Sequence, residues 1–198
     1  MTKKAILLLA EGFEEVEAVT SINYLRRAGI EVTSAALDNN LNVKGANDIQ
    51  LAADASLGSL LAEGRLCPAA WDAVVIPGGL AGSENLAASK ETGAFLSKMA
   101  GAGKLICAIC AAPVKVLAPL GLLSGKKFTC YPGLEEKVFA LGSLAAGAEW
   151  KQDRVVIDGN IITSRGAGTA GEFACAIISA LINQTEAKKL AERVLLYP

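Results

Sequence analysis

Leu105-Ile106-Cys107-Ala108-Ile109 is an unbroken apolar run, opened by Gly103-Lys104 and closed by Cys110-Ala111-Ala112-Pro113. A strand with one wet face alternates apolar and polar residues, whereas a short continuous run suits a strand covered on both sides, as in a parallel sheet between helical layers. Ala5 to Ala10 and Trp71 to Ile76 have the same character, and Ile30 to Leu37 supplies a further strand. Phe13 to Ala28 carries helical spacing up to a stop at Gly29, and Glu91 to Ala102 does so before Gly103. This alternation predicts an α/β, doubly wound, mostly parallel sheet with helices on both faces. A chain of 198 residues suits one such domain, spanning 1–198.

Elsewhere the signals are shorter. Residues 41–53 hold extended pieces around Val43 and Asp48-Ile49-Gln50-Leu51, and Asp54-Ala55-Ser56 reads as a cap before a helical segment from Leu57 to Glu63. Pro119 to Lys127 is turn-rich, and Phe128-Thr129-Cys130-Tyr131 reads as a short strand broken by Pro132-Gly133. Val155-Val156-Ile157 and Ile161-Ile162-Thr163-Ser164 form a hairpin around Asp158-Gly159-Asn160. Arg165-Gly166-Ala167-Gly168 makes a loop before an apolar helix from Thr169 to Leu181 and an amphipathic one from Gln184 to Val194.

Composition removes several classes of function. The chain is 52% hydrophobic but only 5% aromatic, so Ala, Leu, Ile and Val must build the core. No apolar run approaches the ~20 residues of a membrane span, and the stretch after Lys3 and Lys4 is too short for a signal peptide. Five scattered cysteines without such a signal point to a cytoplasmic setting with free thiols. A net charge of −1 without a basic cluster argues against nucleic acid. There is no histidine, which excludes any intrachain Cys–His pair and any His-bearing zinc site. No spacing suggests a metal, and no cofactor is expected.

Cys110 follows the strand directly, and Val114 to Ala118 continues as a helix with Pro113 in its first turn, where the missing N–H is not needed. The sulfur then sits on a sharp strand-to-helix turn at the positive end of a helix dipole, a place where thiolates form. A buried structural cysteine is the other reading. Pro77-Gly78-Gly79 ends another strand and either exposes backbone N–H groups as an oxyanion site or is an ordinary turn into a helix. Ligands of such sheets bind beyond the carboxyl ends of the strands, so this loop and Cys110 belong on one rim. Glu14, Glu15 and Glu17 fall near the start of the first helix, where the dipole favours carboxylates. Arg26 and Arg27 read as a solvated helix end. Cys107 and Cys110 spell C-x-x-C, but positions i and i+3 of a strand face opposite ways, which argues against a redox dithiol. Cys67, Cys130 and Cys175 read as structural, with Cys130 a secondary oxidation target beside Tyr131.

Glu11-Gly12-Phe13-Glu14-Glu15-Val16-Glu17, Arg26-Arg27-Ala28-Gly29, Pro77-Gly78-Gly79, Ala108-Ile109-Cys110-Ala111-Ala112-Pro113 and Thr163-Ser164-Arg165-Gly166 stand in one order along the chain. Together they resemble the DJ-one/ThiJ/PfpI superfamily, closest to its parkinsonism-associated deglycase branch. The resemblance implies a flavodoxin-like, class I glutamine amidotransferase-like fold, commonly a homodimer, with a nucleophile at Cys110 and a partner carboxylic acid at Glu17. It places oxyanion or substrate contacts at Gly78, Gly79, Ala111 and Tyr131. A protonated Glu17 donating to the sulfur is expected to make Cys110 a low-pKa thiol.

Two departures bear on chemistry. Peptidase-like members carry a histidine after the elbow cysteine, where this chain has Ala111, so that route is closed. The deglycase branch carries a histidine before a proline, and the matching residues here are Tyr131-Pro132. Tyrosine, with a pKa near ~10, is a poor base at neutral pH, so proton transfer falls on Glu17, helped by Tyr131 or water. The implied function is a stress-response protein acting on small reactive carbonyls in a glyoxalase-like or deglycase-like manner. The alternative is a non-enzymatic oxidation sensor or chaperone whose Cys110 is oxidised to sulfinic acid.

Overall fold

The computed structural model describes residues 2–196; Met1, Tyr197 and Pro198, at the ends of the expected domain, lie outside them. The chain runs through β1 (Lys4–Leu9), α1 (Glu15–Arg27), β2 (Glu31–Ala36), the hairpin of β3 (Asn42–Lys44) and β4 (Gln50–Ala52), β5 (Ala55–Ser56) and α2 (Leu57–Ala62). Next come β6 (Ala73–Ile76), α3 (Leu80–Ala88), α4 (Lys90–Gly101), β7 (Leu105–Ile109), β8 (Lys127–Phe128), α5 (Glu135–Phe139) and β9 (Glu149–Trp150). The hairpin of β10 (Val155–Asp158) and β11 (Ile161–Ser164) leads into α6 (Ala170–Leu181) and α7 (Gln184–Arg193).

Seven strands form the main sheet in the order β10-β11-β7-β6-β1-β2-β5. Only β10 and β11 pair antiparallel within it. The unbroken apolar runs have a simple cause, because alternate residues enter two different cores. Ile6, Leu8, Val74, Ile76, Ile106 and Ala108 meet Leu86, Phe95, Leu96 and Met99 of α3 and α4. Leu7, Leu9, Val75, Cys107 and Ile109 meet Ala18 and Leu25 of α1 and Phe173, Ile177 and Ile178 of α6. Each fully buried leucine or isoleucine contributes about 1.5–3 kcal/mol, so neither face tolerates a polar residue cheaply. The expected doubly wound sheet is the observed one.

Chain order reverses around β1, with β2 on one side and β6 on the other, and the loops after β1, β6 and β7 meet beyond the strands' carboxyl ends. Several local features depart from the sequence reading. α3 has no strong apolar stripe, since its buried residues are Gly82, Ser83 and Leu86. It is held by close backbone approach, as a Cβ on Gly82 would lie 2.7 Å from the Phe13 nitrogen. The helix after Cys110 is not a regular α-helix: Pro113–Leu117 winds as a π-helix and Ala118–Leu120 as a tighter turn, ending at Gly121 with φ +72°. Of the expected strand at 128–131 only Phe128 pairs, within β8.

Arg26 is also more than a solvated helix end. Its Nη2 donates to Val32 O at 2.8 Å and to Asp54 Oδ2 at 2.6 Å. Asp54 in turn accepts from the Ser34 N–H and hydroxyl, each at 2.8 Å. Burial alone would raise the Asp54 carboxyl, but these bonds and the Arg26 charge bring it below its usual range. Among the described residues no helix is long and apolar enough to cross a membrane.

Candidate active site

Cys110 takes φ +64°, one of three non-glycine residues in the left-handed region among those described. Such a conformation costs roughly 1–2 kcal/mol in an L-residue and persists only where the surroundings dictate it. Here both faces of the peptide are pinned: the Cys110 N–H donates to Ser164 O, and its carbonyl accepts from the Tyr131 N–H, each at 2.9 Å. The β7 strand ends at Ile109, so the side-chain alternation used for the C-x-x-C pair does not extend to Cys110. Both cysteines lie on the α1 and α6 side of the sheet, and both are free.

Glu17 comes to this elbow from the first turn of α1 and is completely buried. The helix is capped by Glu14, whose Oε2 accepts the Glu17 N–H at 2.7 Å. The two loops are tied reciprocally, since the Gly78 N–H donates to Glu17 Oε2 at 2.7 Å and the Glu14 N–H donates to Gly78 O at 3.1 Å. Cys110 is near enough to act on the Glu17 carboxyl, yet Oε1 meets no donor in hydrogen-bond geometry. Burial raises the Glu17 pKa to about 7; the Gly78 bond and Cys110 pull it down, and the Glu14 charge pushes it up.

Opposing influences act on the Cys110 thiol, which the sequence reading expected to have a low pKa. Burial and the neighbouring Glu17 charge push Cys110 up to about 12, although the N–H groups of Gly79 and Ala111 beside the sulfur act the other way. Near neutrality Glu17 and Cys110 therefore exchange a proton as a pair, each shifting the other. Dipole and N–H contacts, read from sequence, favour the thiolate; sequence did not show how fully the site is desolvated.

The two glycines are demanded by contact. A Cβ on Gly78 would lie 2.5 Å from Cys110 Cβ and 2.7 Å from Glu17 Oε2. Gly79 has φ +82°, and a Cβ there would overlap Gly12 O and approach the Glu14 nitrogen to 2.8 Å. Tyr131 is 54% exposed, so its phenol is available at the rim. Of the six residues singled out from sequence, Glu17, Gly78, Gly79 and Ala111 lie against Cys110, and Tyr131 joins them through its backbone N–H on Cys110 O.

Four others in this region act differently from their sequence reading. Glu14 sets a charge beside Glu17 and Ser164 receives the Cys110 N–H, roles that helix position and a four-residue motif do not reveal. Glu15 is structural: its carboxylate accepts from Asn47 N at 2.6 Å and Nδ2 at 2.9 Å, fastening the β3–β4 hairpin to α1. Cys130 is fully buried on the α4 side of the sheet, and burial raises its thiol to about 12, so it is poorly placed for oxidation. Clefts lie elsewhere, among them one of 540 Å³ lined by Leu37, Leu57, Leu61 and Asn85 and one of 470 Å³ lined by Val19, Ile22 and Leu51.

Comparison with known proteins gives a consistent picture. The model of the DJ-1/PfpI family matches residues 3–180. Protein dj-1beta of Drosophila melanogaster is 40% identical over 98% of each chain. A deglycase of Pyrococcus horikoshii is 32% identical over 82% of this chain and 89% of its own. Among solved structures, oxidized DJ-1 of Toxoplasma gondii superposes with a TM-score of 0.88 at 34% identity, covering 98% of each chain.

Proposed function

This chain belongs to the DJ-1/PfpI family, and from that premise we propose that it is a cysteine-dependent stress-response protein acting on small reactive carbonyls, with Cys110 as nucleophile and Glu17 as proton carrier. The observation that carries the reading is Glu17 itself: fully buried, fixed through one oxygen, free at the other, and with a pKa of about 7 beside an elbow cysteine. A group that changes protonation near working pH is suited to both taking and returning a proton. The deglycase name of one relative supports the same class of substrate.

The chemistry follows for a 2-oxoaldehyde such as methylglyoxal. The sulfur attacks the aldehyde carbon as the thiol proton passes to the Glu17 carboxylate, and Glu17 returns it to the former aldehyde oxygen, leaving a hemithioacetal. Glu17 then removes the hydrogen from that carbon, giving an enediolate, and delivers it to the neighbouring carbon while the hydroxyl proton passes from the first oxygen to the second, which yields a thioester. Water hydrolyses the thioester, releasing a 2-hydroxy acid and the thiol. The N–H groups of Gly79 and Ala111 stabilise charge at the sulfur and the bonded oxygen, and the Tyr131 phenol donates to the second substrate oxygen. A carbonyl adduct on an amino group enters by the same attack. No cofactor takes part.

A second reading rests on the unpartnered Glu17 Oε1. Peroxide oxidises Cys110 to sulfenic and then sulfinic acid, and a protonated Glu17 hydrogen-bonds the new oxygen. A homodimer in the cytoplasm is the setting that either reading expects, with exposed Val16 and Val19 of α1 and Ile49 of the β3–β4 hairpin available to a second copy.

Hydroxy-acid formation from methylglyoxal tests the proposal. Wild type forms the acid, and Cys110→Ser and Glu17→Gln each lower the rate by about 100-fold or more. Formation that survives Cys110→Ser overturns it. An inert wild type that gains two oxygens on Cys110 with peroxide selects the second reading.

A further inference from the structure

Gly166 has no local reason to be glycine. Its φ of 164° is extended backbone open to any residue. An added Cβ would meet only Tyr131 Cδ2 at 3.7 Å and Glu17 Oε1 at 3.9 Å, which are ordinary contacts. In this it differs from Gly78 and Gly79, whose neighbours forbid a side chain. What the absent methyl leaves open is a space one carbon wide between the exposed tyrosine and the unpartnered oxygen of the buried acid.

The loop that carries Gly166 is fixed by a chain of hydroxyls. The Gly166 N–H donates to Thr169 Oγ1 at 3.1 Å, the Thr169 and Ser164 hydroxyls lie 2.7 Å apart, and Ser164 Oγ donates to Arg154 O at 2.9 Å. Gly166 O closes the loop, accepting the Thr169 N–H and lying within reach of the Thr169 hydroxyl, each at 2.8 Å. Both hydroxyl residues are buried, so the chain is shielded from competing water. The same Ser164 supplies the carbonyl that pins the Cys110 N–H.

We propose that Gly166 is a specificity-determining residue of the Cys110 site, keeping room beside Glu17 Oε1 for the substituent of the substrate, and that Thr169 is the positioning residue that holds this wall. The inference rests on the carbonyl reading for its substrate, a 2-oxoaldehyde with a small substituent.

Glyoxal and methylglyoxal differ by one methyl and read the wall directly. Gly166→Ala retains the wild-type thermal midpoint and lowers kcat/KM for methylglyoxal about tenfold more than for glyoxal, the usual size of a one-carbon discrimination. Thr169→Val also changes that ratio, and Thr169→Ser restores it, which a general loss of stability would not do. An unchanged ratio in Gly166→Ala overturns the assignment. The same variants are alkylated with iodoacetamide and with the bulkier N-ethylmaleimide, following Cys110 by peptide mass. If wild type converts neither aldehyde, the carbonyl reading fails, yet slowing of the maleimide about tenfold more than iodoacetamide by Gly166→Ala upholds the wall, and equal slowing removes it.

Discussion

Replacing Glu17 with glutamine keeps the shape of the side chain and an acceptor for the Gly78 N–H, while removing the charge. In the folded protein this acid holds its proton up to about 7, against an ordinary 4.5. Between those two values the unfolded chain has released the proton and the folded chain has not, so wild-type stability falls as pH rises, the reverse of a salt-bridged carboxylate. At about 1.4 kcal/mol per unit the whole shift amounts to roughly 3 kcal/mol, most of it lost between pH 5 and 7. Full burial of the group means that solvent screening does not reduce this figure much. Urea unfolding of wild type and Glu17→Gln at pH 5, 6, 7 and 8 measures it, because titration of all other groups cancels in the difference. The variant should gain on wild type by about 2–3 kcal/mol from pH 5 to pH 8, with the gain levelling off above 7. A difference that stays constant within about 0.5 kcal/mol over this range would refute the placement of the acid's pKa.

Other consequences of the geometry can be measured independently. Gly78→Ala drives a methyl into Cys110 Cβ and Glu17 Oε2, so it should cost about 1–3 kcal/mol in denaturant unfolding and abolish Cys110 alkylation; a stable, reactive variant would contradict the close packing. The positive φ at Cys110 predicts that Cys110→Gly is more stable than Cys110→Ala by about 1 kcal/mol, and equal midpoints would mean an unstrained elbow. With the thiol pushed up to about 12, iodoacetamide alkylation of Cys110 should keep rising through pH 9 instead of levelling near 7. Glu17→Gln, which removes a charge that raises the thiol, should speed that reaction at pH 9; slowing would reverse the assigned sign. Asp54→Asn weakens the bonds to Ser34 and Arg26 and should cost about 1–2 kcal/mol at pH 7, a loss that acid erases in wild type as Asp54 protonates.

The layered fold was legible because its signals are local. Leu105 to Ile109 reads as doubly buried from the run alone, and the β10–β11 hairpin turns at the Gly159-Asn160 pair as its composition implies. α3 was not legible, because its inward face is built from glycine and serine, and its packing comes from the loop at Gly12 and Phe13. The positions of the site residues followed from motif and family likeness, but their electrostatics did not. Glu17 is set by Gly78, 61 residues away in sequence, and the thiol by the degree of burial, neither of which any local pattern encodes.

The central claim is that Glu17 supplies the protonation step for chemistry at Cys110. The measurement that meets it most directly is the pH dependence of kcat/KM for methylglyoxal in wild type and Glu17→Gln. The account predicts a rise governed by one ionisation near pH 7 in wild type, absent from the residual rate of the variant. A wild-type rate independent of pH across this range, or a profile that persists unchanged in Glu17→Gln, would contradict it.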